Sequence, residues 1–151
     1  MPISATGNNR EAGFTLVELM VVIVLTGVMA TAVMVTLPDP RRRASDDAAT
    51  FAARLAAARD LAIVGGHDVS VHVDAAGYGF DQRRGKAWVP VAAKALQPAR
   101  WSDGVTGTSD TAALLFDTTG IATPAQVALH GRETEVVVSV DTNGKVLIHA
   151  R

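Results

Sequence analysis

The sequence predicts an α+β fold, in which a long N-terminal helix with a membrane-spanning first half packs on antiparallel β-sheet. Three patterns in the chain carry this prediction. Residues 14–37 form a 24-residue run with a single charged side chain, Glu18. Apolar residues then recur at spacings of three and four, as in a helix, as far as Gly65 and Gly66. Beyond Gly66, alternating apolar residues and turn motifs predict short strands.

The composition restricts the classes of protein that the chain can belong to. It has 151 residues, no cysteine and a formal net charge of −1. The part beyond the apolar run, roughly 110 residues, is large enough for one domain with its own core. Without cysteine there is no disulfide framework, thiolate zinc site or cysteine nucleophile. From Ala44 onward, ten basic residues stand against twelve acidic ones, so nucleic acid is not an expected partner.

The apolar run at 14–37 has three possible interpretations. As a helix it would reach roughly 36 Å, more than the roughly 30 Å hydrocarbon core of a bilayer. A buried helix of a soluble protein is the second interpretation, but such a helix is usually more amphipathic. The third is a secretory signal peptide cut after Ala32, behind the small residues at 30–32. The uniform apolar character favours the membrane-spanning helix.

Glu18 distinguishes these interpretations, because an acid inside a membrane helix costs roughly 2.5–3.5 kcal/mol on insertion scales. No Lys, Arg or His lies within 14–37 to pair with it. If the chain were cut between Gly13 and Phe14, a new α-amino group at Phe14 would lie at the same depth as the carboxylate. The two groups could meet within one helix or between parallel, staggered helices. Glu18 would then neutralise an N-terminus and set the register of an assembly.

The stretch GFTLVEL at 13–19 resembles the processing motif of type IV prepilins and type II secretion pseudopilins. The resemblance implies cleavage after Gly13 and N-methylation of Phe14 by an inner-membrane prepilin peptidase, with Glu18 as an assembly contact. It also implies a four-part chain. These parts are a cytoplasmic leader peptide at 1–13, a transmembrane and assembly helix at 14–37, a Pro/Arg-rich break at 38–44 and a periplasmic type IV pilin-like α+β domain at 45–151.

Three arginines, at 41–43, follow the apolar run. The positive-inside tendency would place this end of the helix in the cytoplasm, whereas the resemblance places it in the periplasm. We interpret the three arginines as a contact with lipid headgroups or with a neighbouring subunit.

A second helix is predicted after the break. Pro38 and Pro40 interrupt the first helix, and Ser45 is a candidate N-cap. One apolar stripe then runs along the helix, and Gly65-Gly66 stops it. The stripe consists of Ala48, Phe51, Leu55, Ala58 and Ala62. We expect it to pack on the domain's own sheet, with a neighbouring subunit as the alternative.

The strands are predicted from period-two alternation and from turns. Val69, Val71 and Val73 share one face of a strand. Other strands are expected at 77–80, 87–91, 105, 114–116, 127–129, 135–140 and 145–149. The D-T-x-G sequences at 117–120 and 141–144 predict tight turns, because glycine tolerates positive φ. Residues 101–111, rich in Ser, Thr, Gly and Asp, predict a surface loop.

The C-terminal half resembles the H-type minor pseudopilins, the GspH/FimT group of type IV pilin-like proteins. The similarity lies in FDTTGIATP at 116–124 and in the closing hairpin at 136–146. It implies a structural subunit near the tip of the type II secretion pseudopilus, involved in protein export across the outer membrane. The implied partners are other minor pseudopilins, the major pseudopilin, the prepilin peptidase/N-methyltransferase and the inner-membrane secretion platform.

Two other functions stay open. A FimT-like minor pilin would serve type IV pilus initiation or DNA uptake. DNA binding would need a basic surface, and the local candidate is the cluster of Arg83, Arg84 and Lys86. The same three residues are also expected if this stretch is simply a turn exposed to solvent. A secreted soluble binding domain, released after Ala32, is the other alternative. Gene neighbourhood would distinguish a type II secretion system from a type IV pilus. The mature N-terminus would test whether a soluble domain is released.

Neither catalysis nor metal binding is predicted. Ser70, His72 and Asp74 have the residue types of a hydrolase triad, but same-face neighbours lie roughly 6.6–6.8 Å apart along a strand, too far for direct hydrogen bonds. The chain's histidines lack metal-ligand spacing; they are His67, His72, His130 and His149. The sequence at 141–144 resembles the start of a calcium loop but lacks the downstream glutamate. We therefore expect no enzyme and no cofactor.

Overall fold

A computed structural model of the chain describes residues 15–36 and 42–150. The chain divides into two compact units, Met1–Leu37 and Pro38–Arg151. Gly13, Phe14 and the predicted leader at 1–13 lie outside the described residues, as do Pro38 and Pro40.

The first unit contains helix α1, Leu16–Thr36. Its apolar side chains from Leu16 to Met29 are exposed. Two threonine hydroxyl groups of α1 form hydrogen bonds with carbonyl groups of the same helix. Thr26 Oγ1 lies 2.8 Å from the carbonyl oxygen of Val22, and Thr31 Oγ1 lies 3.0 Å from that of Gly27. Across 15–36 and 42–150, the structure contains no helix long and apolar enough to cross a membrane.

The second unit begins with helix α2, Arg43–Gly65. The prediction that Ser45 is the N-cap is wrong, because the Asp46 amide already donates to the Arg42 carbonyl oxygen at 2.9 Å. Residues 43 and 44, assigned to the break at 38–44, therefore belong to the helix. Long-range bonds to the loop at 102–103 stabilise this earlier start. Arg43 Nη1 donates to the Asp103 carbonyl oxygen at 3.0 Å.

The predicted end of α2 is confirmed. Gly66 follows the helix with φ 62°, a left-handed conformation that glycine adopts without a Cβ penalty. The predicted apolar stripe is also confirmed, since its five members are each 0% exposed; they are Ala48, Phe51, Leu55, Ala58 and Ala62.

Two antiparallel sheets follow α2 within 42–150. The first has the order β3-β2-β1-β6, with β4 also paired to β2, and the second has the order β5-β7-β8-β9. The strands are β1 Val69–Val73, β2 Gly77–Arg84, β3 Ala87–Pro90, β4 Ala99–Arg100, β5 Thr106–Ser109, β6 Leu114–Phe116, β7 Ala125–His130, β8 Glu135–Val140 and β9 Val146–Ala150. A single 3₁₀ turn, Lys94–Leu96, is described between β3 and β4.

The α2 stripe packs on both sheets of its own domain, as expected. Phe51 and Leu55 share one buried cluster with Phe80 of β2 and Val138 of β8. The predicted α+β fold is therefore confirmed, with the helix-on-sheet arrangement within the second unit.

An aromatic cluster fills the core beneath the amino half of α2. The Phe51 ring centroid lies 4.7 Å from that of Tyr78 and 5.4 Å from that of Trp101, in edge-to-face geometry. Burial raises the pKa of Tyr78 above its usual value. The Arg54 guanidinium, whose carbon lies 5.5 Å from the ring centroid, acts in the opposite direction but has the smaller effect. Trp101 Nε1 donates to the Asp74 carbonyl oxygen at 3.0 Å. These contacts hold α2 against the edge of the first sheet.

The prediction of a surface loop at 101–111 is wrong in two respects. Trp101 is 7% exposed and belongs to the core. Thr106–Ser109 forms β5, which pairs with β7 from Thr106↔His130 to Ser109↔Val127. The stretch T-G-T-S has turn-like composition, but pairing with an adjacent strand satisfies its backbone and makes it an edge strand. Val105, expected in a strand, directly precedes β5.

Candidate assembly site at the start of helix α1

Thr15 and Glu18 form the start of α1. The Glu18 amide donates to Thr15 Oγ1 at 3.3 Å, and the Leu19 amide donates to the Thr15 carbonyl oxygen at 3.2 Å. Thr15 is therefore the N-cap, and Glu18 occupies the third helical position, where an acid is favoured by the positive end of the helix dipole. The sequence reasoning selected Glu18 and missed Thr15. The spacing T-x-x-E, typical of a capping box, was the available signal.

The surroundings of Glu18 on α1 are apolar. A groove on one side of the helix is lined by side chains without polar atoms; they are Val17, Met20, Val21, Val24 and Leu25. Glu18 is the single acidic residue of α1 and lies in its first turn. The proposed processing residues, Gly13 and Phe14, lie outside the described residues. The assembly role of Glu18 stays a prediction.

The residues with triad chemistry do not form a triad. His72 Nδ1 lies 3.4 Å from Asp81 Oδ2 on the neighbouring strand β2. Asp74 Oδ1 instead accepts the amides of Ala76 and Gly77, at 2.7 and 2.8 Å, and so fixes the β1–β2 turn. Neither contact prepares a nucleophile.

The histidines are dispersed: His67 lies between α2 and β1, His72 lies in the first sheet, and His130 and His149 lie in the second. His130 Nε2 lies 3.2 Å from Thr108 Oγ1, and His149 Nε2 lies 3.2 Å from Ser139 Oγ. Among the residues that the structure describes, no group of three or more His, Cys, Asp or Glu side chains is arranged to hold a metal ion.

At two places in the part of the chain that the structure describes, basic side chains lie beside acidic residues. Arg83 pairs with Asp68 at 3.4 Å, and Lys86 lies in the β2–β3 turn. At the start of α2, Arg43 lines a cavity of about 270 Å³ together with Arg132 and Asp103. Mixed charge at both places favours structural contacts over nucleic-acid binding.

The two predicted D-T-x-G turns are confirmed, and the structure brings them together. Gly120 has φ 84° and Gly144 has φ 73°. The Ala122 amide donates to the Thr142 carbonyl oxygen at 3.0 Å, which joins one turn to the other. Arg59 of α2 donates through Nε to the Gly120 carbonyl oxygen at 3.1 Å. The paired turns therefore dock against the carboxyl half of α2, a contact that the sequence reasoning did not predict.

Asp117 stabilises the first of these turns. The Thr119 hydroxyl donates to Asp117 Oδ1 at 2.6 Å, and the amides of Thr119 and Ile121 donate to the same oxygen at 2.8 and 3.0 Å. These bonds favour the ionised form, and the Thr119 hydroxyl contributes most to lowering the pKa of Asp117 below its usual value.

An N-terminal helix with a capped acidic first turn, followed by a helix packed on antiparallel sheets, defines a type IV pilin-like protein. Residues 8–34 match the prokaryotic N-terminal methylation motif. Residues 47–144 match the model of the family described as type II transport protein GspH, and the chain belongs to this family.

Individual relatives agree with this assignment. Type II secretion system protein H of Aeromonas hydrophila is 34% identical over 80 residues, which cover 52% of this chain and 44% of the relative. The protein of the same name in Dickeya chrysanthemi is 37% identical over 65 residues, which cover 42% and 36% respectively. The chain thus matches less than half the length of these curated relatives.

Solved structures share the fold. The minor pseudopilin EpsH of Vibrio cholerae superposes with a TM-score of 0.64 at 21% identity, over 72% of this chain and 97% of EpsH. The solution structure of Escherichia coli GspH gives 0.61 at 18% identity, over 73% and 89%. The type IV minor pilin FimU of Pseudomonas aeruginosa gives 0.54 at 17% identity, over 74% and 94%.

Proposed function

We propose that this chain is a minor pseudopilin, a structural subunit near the tip of the type II secretion pseudopilus that acts in protein export across the outer membrane. One observation carries the proposal: a methylation motif at 8–34 and a GspH domain at 47–144 occur in the same chain. The two curated relatives are both named type II secretion system protein H, which supports a role in type II secretion.

The proposed subunit is made as a precursor. Prepilin peptidase cuts after Gly13 and methylates the new amino group of Phe14. Residues 14–37 hold the chain in the inner membrane as a single pass, and the domain at 45–151 lies in the periplasm. The methylation motif and the 24 residues with one charge support this arrangement.

The proposed function is assembly rather than catalysis. Glu18 pairs with an N-terminal amine, its own or that of a neighbouring subunit, and the partners are other minor pseudopilins and the major pseudopilin. An unpaired acid in hydrocarbon is costly. Subunits would therefore pack in the register that pairs Glu18 with an amine rather than in one that leaves it among apolar side chains. The peptidase and the inner-membrane secretion platform are the other expected partners. Asp74 accepts the amide of Ala76 in its own turn and His72 lies beside Asp81, and these structural contacts support a non-catalytic role.

The first experiment is mass spectrometry of the mature N-terminus, on protein from its native membrane. A chain that begins at N-methylated Phe14 supports the proposal. A chain that begins at Val33 lacks Glu18 altogether and overturns it in favour of an exported soluble domain.

The second experiment tests assembly. We expect Glu18→Ala to be processed but recovered poorly with the other minor pseudopilins and the major one. Met29→Ala, at an exposed apolar position on the same helix, is the matched control. Normal recovery of Glu18→Ala in the complex would rule out the proposed contact.

A further inference from the structure

Three segments of the second unit enclose a cavity that combines two arginines with an aspartate. The cavity has a volume of about 270 Å³ and is lined by Arg43, Asp103, Gly104, Val105 and Arg132. The arginines are far apart in sequence, since one belongs to α2 and the other to the turn between β7 and β8. The fold therefore brings together two cations that the assembly contact proposed for α1 does not use.

Contacts within the domain hold the walls of this cavity in place. Arg43 Nη1 donates to the Asp103 carbonyl oxygen at 3.0 Å, which joins α2 to the loop before β5. The turn that carries Arg132 lies against α2, because a Cβ on Gly131 would be 3.3 Å from the Ala44 Cβ. The backbone on both sides of the cavity is therefore fixed by packing.

The side chains of the lining indicate the chemistry of a ligand. A guanidinium group carries five N–H donors, and the bond to the Asp103 carbonyl uses one of those on Arg43. Guanidinium groups bind phosphate oxygens through pairs of parallel hydrogen bonds, so two arginines on one cavity favour a phosphate group. The carboxylate of Asp103 repels a purely anionic ligand but can accept hydrogen bonds from an ammonium group. The lining thus matches a ligand in which a phosphate and an ammonium group lie close together.

The proposed function, on which this inference rests, brings such a ligand within reach. Residues 14–37 would cross the inner membrane, and Arg43 follows the last of them by six positions. Six fully extended residues span at most about 22 Å, so the covalent chain keeps Arg43 within reach of the periplasmic headgroup layer. We propose that the cavity binds the headgroup of a zwitterionic phospholipid with a primary ammonium group, such as phosphatidylethanolamine. Arg43 and Arg132 hold the phosphate, and Asp103 holds the ammonium group.

This site discriminates among membrane lipids by their charged groups. Phosphatidylglycerol has the phosphate but no ammonium group to pair with Asp103. Phosphatidylcholine has a positive charge, but its quaternary nitrogen has no N–H to donate to the carboxylate. A bound ethanolamine headgroup holds the domain at the membrane surface, and it gives Arg43 a partner on the periplasmic side of the membrane.

The test is native mass spectrometry of the full mature chain released from detergent, with one added lipid at a time. The probes are phosphatidylethanolamine, phosphatidylcholine and phosphatidylglycerol with identical acyl chains, so that their contacts with the apolar α1 are the same. Arg132→Gln removes one cation and leaves the bond between Arg43 and the Asp103 carbonyl in place. Asp103→Asn removes the carboxylate. Arg100→Gln is the matched control, because Arg100 is also exposed but lines a different cavity.

We expect the wild type to bind phosphatidylethanolamine about tenfold more tightly than the other two lipids, the effect of one charge-assisted hydrogen bond. Arg132→Gln should lose about tenfold in affinity for phosphatidylethanolamine, whereas Arg100→Gln should bind as the wild type does. Asp103→Asn should bind phosphatidylethanolamine and phosphatidylcholine equally.

Three results would overturn the proposal. Equal affinities of the wild type and Arg132→Gln for phosphatidylethanolamine would show that the cavity is not the site. Tighter binding of phosphatidylglycerol would contradict the role of Asp103. Displacement of the lipid by millimolar inorganic phosphate would identify a site for free phosphate instead of a lipid headgroup.

Failure of this inference is distinguishable from failure of the proposed function. If the mature chain begins at Phe14 but shows no preference among the lipids, the headgroup site is wrong and the proposed function stands. If the mature chain begins at Val33, the membrane-spanning segment before Arg43 is lost, and the proposed function fails together with this inference.

Discussion

Replacing Gly144 with alanine tests the contact between the two D-T-x-G turns. An alanine Cβ at this position would overlap the Gly120 carbonyl oxygen and lie 2.6 Å from Arg59 Nε. The φ of 73° adds a penalty of about 1 kcal/mol for a left-handed alanine. Overpacking against a backbone atom adds about 2 kcal/mol. We therefore expect Gly144→Ala to lower the free energy of unfolding by about 3 kcal/mol.

Gly85 provides the matched control. It also has positive φ, at 62°, but a Cβ there would meet nothing within 4 Å. Gly85→Ala should therefore lose about 1 kcal/mol, from the backbone alone. The assay is urea unfolding of the full chain in detergent, followed by tryptophan fluorescence, in which Trp101 is buried and Trp88 is exposed. Equal losses in the two variants would refute the idea that the turns are in tight contact.

Two further predictions concern the core and one carboxylate. Phe51→Ala should destabilise the domain by about 3–5 kcal/mol, because the ring is fully buried. In the same assay, Val64→Ala, at an exposed position, should change the stability by less than about 0.5 kcal/mol. Thr119→Val should raise the pKa of Asp117, measured by NMR titration of its carboxyl carbon. A lowered folded-state pKa gives stability that is full above the unfolded value and is lost as pH falls through the folded one. The variant should therefore lose stability at higher pH than the wild type, and an unchanged titration midpoint would contradict the role of Thr119.

Local rules were sufficient for much of the fold. The stripe on α2 was predicted because the buried face of a helix repeats at three and four residues, whatever it packs against. The buried face of β1, with Val69 and Val71, was predicted because side chains alternate between the two faces of a strand. The turn at 141–144 needed only a glycine that can adopt positive φ.

Tertiary contacts explain what local rules missed. Thr106–Ser109 has loop-like composition and becomes β5 through pairing with β7. The start of α2 lies before Ser45 because the loop at 102–103 holds it there. Asp47, for example, accepts both the amide and the hydroxyl of Ser102, at 2.8 and 2.9 Å. The partners lie far away in sequence, 18 to 24 residues for the β5–β7 pairs and 55 residues for Asp47 and Ser102.

The candidate site was predicted in part. Glu18 was selected because an acid in an apolar run is unusual, an argument that needs no structure. Thr15 was not selected because its hydroxyl matters only in relation to the amide three residues on. The contact of Arg59 with the paired turns was beyond sequence reasoning, since it joins residues 61 apart.

The hydroxyl groups of α1 have a consequence for movement within the proposed filament. Thr26 and Thr31 are the polar side chains of 19–31, and both donate to carbonyls of their own helix. Their protons are therefore not available to a helix packed along this stretch, which would meet mainly apolar side chains. In the proposed assembly, axial sliding of one subunit past another would then change little but van der Waals contact until Glu18 meets its partner at the first turn.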